Sequence, residues 1–274
     1  MRNEIGVLVS LKRERSPLDA VEAFGLRTCE IMGGGEENWT DENADRLREE
    51  AARRGIRISV LGAGWPGPCV WDFVDGPNTL GIVPRAYRMR RLETLLAAAP
   101  FAKRLGAPAV RTHIGFVPED PSTEIFREVV AAMRYLMREY EKLDLEFWLE
   151  TGQETPVTLV RLIQAVGSEK IGVNLDPANL VMYGKANPID AIGLLGPHLR
   201  NIHAKDGMYP TDPIRLGAEV PLGTGRVRYP EFLRALAGIG FEGDLIIERE
   251  ISGERQRRDI ATGVEYLRKL LAEI

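Results

Sequence analysis

The strongest constraint on this chain is a repeating unit: a short apolar run, a stretch with helical spacing of apolar residues, then a glycine before the next run. Eight runs read as strands: "EIGVLVSL" (4–11), "RTCEIMG" (27–33), "RISVLGAG" (57–64), "AVRTHIG" (109–115), "LEFWLETG" (145–152), "IGVNLDP" (171–177), "LRNIHAKD" (199–206) and "DLIIERE" (244–250). Between them apolar residues recur every three or four positions, most clearly in "ENADRLREEAARRG", "EIFREVVAAMRYLMREYEKL" and "GVEYLRKLLAEI". Gly25, Gly55, Gly106, Gly167, Gly196 and Gly240 stand where left-handed helix C-caps belong. A strand followed by a crossover helix pairs in parallel with the next strand. Eight such units without a linker predict an α/β fold, a single (β/α)8 TIM barrel running over 1–274 as one domain. The alternative is an open doubly wound sheet, but the GxGxxG of its dinucleotide-binding form is missing after the first run.

Composition narrows the function. With 274 residues, 44% of them apolar, the chain has material for one large barrel. A net charge of −4 and a pI near 5.6 give no basic face for nucleic acid. Cys29 and Cys69 are too few for a disulfide framework and stand in no paired metal motif, so reduced thiols are expected. The start, "MRNEIGVLVSLKRE", lacks the apolar run and cleavage site of a signal peptide. No stretch approaches the ~18 apolar residues of a membrane span. A cytoplasmic protein without membrane or nucleic-acid partners is expected.

Alternation along the later strands gathers the chemistry. Side chains two apart share a face. Strand four sets Arg111 and His113 against Val110, Thr112 and Ile114; strand five sets Glu146, Trp148 and Glu150 against Leu145, Phe147 and Leu149. Asn174 and Asp176, then Asn201, His203 and Lys205, then Ile246 and Glu248 continue the inward set. Glu150, Asp176, His203 and Glu248 thus end four consecutive strands at the end of the barrel where active sites lie. Three carboxylates held together repel unless a cation joins them. Three oxygens and one imidazole suit one divalent ion, Mn²⁺ first, with Mg²⁺, Co²⁺ and Zn²⁺ as alternatives. Deeper in the barrel, Arg111 and Glu146 are expected to form an internal salt bridge.

The segments "AKRLGAPAVRTHIG", "LETGQET", "NLDPANL", "NIHAKDG", "PLGTGRV" and "GFEGDLIIERE" are more specific. In their order and spacing they resemble the xylose isomerase-like TIM-barrel superfamily, in its sugar phosphate isomerase/epimerase family. That branch includes ketose 3-epimerases, hydroxypyruvate isomerase and inosose dehydratase. The resemblance spans nearly the whole chain. It implies Glu150, Asp176, His203 and Glu248 as metal ligands, with Glu150 and Glu248 as the acid/base pair. One position departs: ketose 3-epimerases carry a His three residues after the metal Asp, and this chain has Asn179.

The expected function is therefore a divalent-metal-dependent isomerase or epimerase of a sugar, sugar phosphate or related polyol-ketone, moving a proton through a metal-stabilised enediolate. A dehydratase of the inosose dehydratase type is the alternative. An AP endonuclease-like repair enzyme would call for more His ligands than His113, His198 and His203, and a non-catalytic sugar-binding barrel has no use for an acid/base pair. Substrate contacts are expected from His113, Asn179, Lys205, Gln153 and Trp65. His113 either binds hydroxyls, shuttles a proton or is an interior histidine; Lys205 either holds an anion or pairs with Asp206. Glu154 joins Gln153 in the loop after strand five. Trp65 or Trp71 either stacks on a sugar ring or anchors its loop or an oligomer contact. "PLGTGRV" is either a phosphate cradle or a plain loop, and "RAYRMRR" (85–91) reads as a solvated helix face. The expected partners are a small-molecule carbohydrate and further copies of the chain, as a dimer or tetramer.

Overall fold

The computed structural model describes residues 3–11 and 16–274; residues 1–2 and 12–15, part of the stretch read for a signal peptide, lie outside it. The barrel strands are β1 (Ile5–Ser10), β2 (Thr28–Met32), β3 (Arg57–Gly62), β4 (Ala109–His113), β5 (Glu146–Glu150), β6 (Ile171–Leu175), β7 (Leu199–Ala204) and β8 (Asp244–Ile247). They close in sequence order, all neighbours parallel, with β8 returning to pair with β1. The helices between them begin on the residues best suited to it. Thr40, Thr123 and Thr155 each accept a hydrogen bond from a first-turn backbone N–H. Gly55, Gly106 and Gly167 end helices with φ of 63°, 86° and 77°, a conformation that costs other residues about 1 kcal/mol. Gly25 and Gly240 share that region, whereas Gly196 does not. At φ −42° it carries the chain from helix Pro188–Leu195 directly into a single 3-10 turn, Gly196–His198, so the expected left-handed cap is absent there.

Two layers of packing fix the barrel. One apolar layer lies between strands and helices; a separate small plug of Val60, Ala109 and Trp148 fills the interior from below. At the N-terminal floor, Arg57 donates to both oxygens of Asp244 at 2.8 and 2.6 Å, and Thr28 Oγ1 donates to the same carboxylate at 3.2 Å. The interior above the plug is polar, and it opens at the C-terminal ends of the strands.

Two loops meet over that opening. The loop after β3 and the excursion after β7 are joined by Phe73 N–H donating to Ile214 O at 2.9 Å, beside an antiparallel bridge between Asp72 and Arg215. The excursion is pinned by a two-stranded ribbon of Asp206–Gly207 and Glu219–Val220. The loop after β3 is held by two arginines of "RAYRMRR", contrary to the solvated face expected there. Arg91 is fully buried and donates to the carbonyls of Pro66, Pro68 and Gly81, with its guanidinium 5.4 Å from the Trp65 ring centre and 4.8 Å from that of Tyr87. Arg88 serves the carbonyls of Ile82 and Val83 and the Glu128 carboxylate. Loop carbonyls without a β partner need donors, and these two side chains supply them.

Candidate active site

Alternation delivers the four strand-end residues to one point. Glu150, Asp176, His203 and Glu248 each offer one ligand atom, all within 4.8 Å of one another. Opposite ligands of a divalent ion sit ~4–5 Å apart, so the spacing fits. His203 Nδ1 lies 3.1 Å from Glu150 Oε1, 3.1 Å from Glu248 Oε2 and 3.9 Å from Asp176 Oδ2. The Asp–Pro pair explains how Asp176 is aimed. Pro177 opens helix Pro177–Met182, Asp176 caps it, and Oδ1 accepts from Asn179 N–H at 2.8 Å. Oδ2 is left buried and without a hydrogen-bond partner, an orphaned oxygen suited to a cation. Burial pushes the Asp176 carboxyl up to about 8; Lys205 opposes this, and Glu248 and Glu150 add to it. Burial alone would lower His203, yet Glu150, Glu30 and Glu248 raise it well above the usual histidine range. A field that favours a proton on Nδ1 favours a metal cation in the same place.

Glu30, which the reading of strands four to eight did not reach, is as much a part of this centre. It lies on β2, fully buried, and His203 Nε2 donates to its Oε2 at 2.8 Å. A carboxylate is acceptor-only, so Nε2 carries the proton and Nδ1 is turned toward the cluster, the usual outer support of a ligating histidine. Arg111 lies beside it. Its Nε donates to Glu30 Oε1 at 2.8 Å and its Nη1 reaches Glu150. The expected Arg111–Glu146 pair does not form: Glu146 instead accepts from Trp148 Nε1 at 2.7 Å and Arg200 Nε at 3.0 Å. Gly62 makes room for the guanidinium, since a Cβ there would strike Met32 Sδ and lie 2.9 Å from Arg111 Nη2. Burial raises Glu150, but the Arg111 guanidinium, with His203, outweighs it and holds the carboxyl at about 2. Glu248 is held well below its ordinary value, Lys205 and His203 overcoming burial.

The expected substrate residues take different positions. Burial pushes His113 down to about 4, so it is neutral; Nε2 lies 3.2 Å from Glu150 Oε2, and the exposed ring of Trp71 meets the imidazole edge-on at 5.0 Å. Trp65 packs between Arg91 and Trp71 in the loop. Asn179 bridges the centre, its Nδ2 3.4 Å from Glu150 Oε1 and its Oδ1 accepting from Lys205 Nζ at 3.4 Å. Gln153 donates to Tyr183 Oη at 3.1 Å, and Phe73 and Phe116 stand edge-on to that tyrosine. Lys205 is buried against Glu248 and Glu250, 3.1 Å from each, and 3.5 Å from Asp176. It does not pair with Asp206. That carboxylate faces the "PLGTGRV" loop, where Oδ2 accepts from Gly223 and Gly225 N–H at 3.0 and 2.9 Å and Oδ1 from Val227 N–H at 3.2 Å. The amides that suggested a phosphate cradle are thus bound to the protein's own anion.

A closed parallel barrel with a buried carboxylate–imidazole cluster at its C-terminal mouth defines an α/β barrel whose site can hold a metal ion. The chain belongs to the xylose isomerase-like TIM barrel family, whose model matches residues 18–270. A xylose isomerase domain protein from Planctomyces limnophilus is 32% identical and superposes at a TM-score of 0.95 over 100% of this chain and 99% of its own. A D-tagatose 3-epimerase-like protein shares the fold at a TM-score of 0.76 and 21% identity, over 98% and 97% of the two chains. The uncharacterized protein YfiH of Bacillus subtilis (strain 168) is 31% identical over 150 residues, 48% of this chain. The chain spans about half the length of the curated relatives it matches, 47% of YfiH and 44% of a second.

Proposed function

We propose that the protein is a divalent-metal-dependent isomerase or epimerase of a small polyhydroxylated carbonyl compound, with Glu150, Asp176, His203 and Glu248 as ligands of one ion, Mn²⁺ first. The observation that carries this is the pair Glu150 and Glu248. Two carboxylates from β5 and from the end of β8 converge on His203 Nδ1 at 3.1 Å each, and both are ionised at neutral pH. A divalent cation held by these four residues would supply Lewis acidity to a substrate carbonyl at the mouth of the barrel. Glu150 and Glu248 accept and return the carbon-bound proton, on opposite faces for epimerisation or on adjacent carbons for isomerisation. Arg111 and Lys205 hold the two carboxylates in place, and Asn179, His113, Gln153 and Trp65 are proposed to orient the substrate. The D-tagatose 3-epimerase-like neighbour supports the fold on which such chemistry is built. A dehydratase of the inosose dehydratase type, the alternative, keeps the same first step, removal of a carbon-bound proton by one of the two carboxylates. No helix among the described residues is long and apolar enough to cross a membrane. A single domain over 1–274, a cytoplasmic location and a dimer or tetramer complete the proposal; sedimentation of the purified protein reads its assembly.

The test is deuterium exchange. Protein purified without chelator should retain a divalent ion at this cluster and, with Mn²⁺ present, exchange a carbon-bound proton of at least one compound in a panel of ketoses, aldoses, inososes and their phosphates. Glu248→Gln should fold and lose that exchange. Full turnover by metal-free protein, or undiminished exchange in Glu248→Gln, overturns the proposal.

A further inference from the structure

Three of the four residues that converge at the mouth stand on regular structure. Glu150 and His203 belong to β5 and β7, and Asp176 caps helix Pro177–Met182. Glu248 does not. The ladders flanking β8 end at Ile247, which pairs with Val7 on one side and Ala204 on the other. Past them, Glu248 N–H donates to Ala204 O at 3.3 Å, and the chain then runs without regular structure to helix Gly253–Ala272. The next residue supplies the hold that the ladders lack. The Arg249 side chain is 6% exposed, and its guanidinium lies between two acids from distant parts of the chain. Nη1 is 2.8 Å from Glu219 Oε2, and Nε donates to Asp259 Oδ2 at 2.9 Å. The Arg249 carbonyl accepts from Gln256 Nε2 at 2.8 Å, and Glu250 N–H donates to the Glu219 carboxylate, 3.1 Å from each oxygen. The peptide group joining Arg249 to Glu250 is thus held at both its carbonyl and its N–H.

We infer that Arg249 is a positioning residue. Clamped by Glu219 and Asp259, it fixes the main chain beside Glu248 and so the approach of that carboxylate to Glu150, Asp176 and His203. Desolvation cancels much of the attraction in a buried ion cluster, so the clamp's contribution is fixed geometry more than net stability. A site of converging ligands needs such support, because a small displacement of one ligand loosens the whole. The inference rests on the function proposed above, in which Glu248 is both a ligand and a proton-transferring carboxylate. It goes further by tying the centre to the excursion after β7, since Glu219 lies in the ribbon that pins that excursion.

The test compares three variants. Arg249→Met removes both ion pairs, and Glu219→Gln removes one charge while keeping an acceptor for the Glu250 N–H. The control is Arg57→Met, which breaks the ion pair to Asp244 at the far end of the same strand. In calorimetric titrations with Mn²⁺, folded Arg249→Met should lose about tenfold or more in affinity, as when an outer support of a ligand is removed. Glu219→Gln should lose affinity as well, whereas Arg57→Met should melt lower yet bind within about twofold of wild type. In the metal-free protein, hydrogen exchange at the Glu250 amide should accelerate in Arg249→Met and Glu219→Gln while Ile246 stays protected. Mn²⁺ affinity within about twofold of wild type in both clamp variants, an equal loss in Arg57→Met, or unchanged exchange at Glu250 overturns the inference. Should Arg249→Met fail to fold, Glu219→Gln decides. A wild-type protein that binds no divalent ion overturns the proposed reaction and this inference with it, whereas clamp variants that bind as wild type does overturn the inference alone.

Discussion

Glu30→Gln removes one negative charge from the centre while keeping the side chain's length and one acceptor oxygen. In the wild-type protein Glu30 Oε2 takes the His203 Nε2 proton at 2.8 Å and Oε1 takes the Arg111 Nε proton at 2.8 Å, with both partners buried. A glutamine must offer its single carbonyl to one of them and turn its NH2 toward the other donor. Either His203 loses the acceptor that fixes its tautomer, or Arg111 loses its carboxylate and bears more heavily on Glu150. Both outcomes weaken a ligand of the cluster. Loss of such an outer partner costs about 10–100-fold in metal affinity, equivalent to about 1.4–2.7 kcal/mol. The assay is Mn²⁺ titration of the folded variant, followed by calorimetry or by the resonance signal of the free ion, with circular dichroism as the check on folding. Glu150→Gln, which loses a proposed direct ligand, sets the upper bound. A Glu30→Gln protein that binds Mn²⁺ within threefold of wild type, while Glu150→Gln does not, would refute the orienting role.

Two further outcomes follow from buried carboxylates. The unfolded chain ionises Glu154 above about 4.5, whereas the folded protein holds its proton to about 8, so this group's contribution is complete below 4.5 and is lost as pH rises toward 8. The loss is about 5 kcal/mol at most, and urea midpoints at pH 5.5 and 8 should converge in Glu154→Gln relative to wild type; an unchanged difference would show that Glu154 does not cause the slope. Asp206→Asn turns an amide NH2 toward loop N–H donors that now share a carboxylate, and should cost about 2–3 kcal/mol. Hydrogen exchange at Gly223 and Gly225 should accelerate, and retained protection at both amides would count against the anchor.

The barrel was legible because its signals are local. Glycines after helical runs, threonines at helix starts and strict alternation in short strands each follow from backbone geometry and survive any tertiary detail. The same alternation, carried back to "RTCEIMG", sets Glu30 with Thr28 and Met32 on the inward face and Cys29 and Ile31 outside, so the missing member of the centre was readable. The burial of Arg88 and Arg91 was not. Their helix has an ordinary charged pattern, and their partners are carbonyls of a loop whose path is set by tertiary packing. Pairings inside the barrel were equally hidden. Parity places Arg111 and Glu146 on the same face, but strand stagger decides that Arg111 meets Glu30 and Glu150 while Glu146 meets Arg200. Lys205 and Asp206, adjacent in sequence, point to opposite sides of the strand end and so serve different structures.

The hydrogen bond from Phe73 to Ile214 uses main-chain groups only. It is therefore indifferent to which side chains the two loops carry, and drift in their composition leaves the crossing intact. Deleting the donor takes a proline at position 73, and otherwise only a change in loop length separates the two spans. The crossing of the two loops is thus set by chain geometry, leaving their exposed side chains free to vary without parting them.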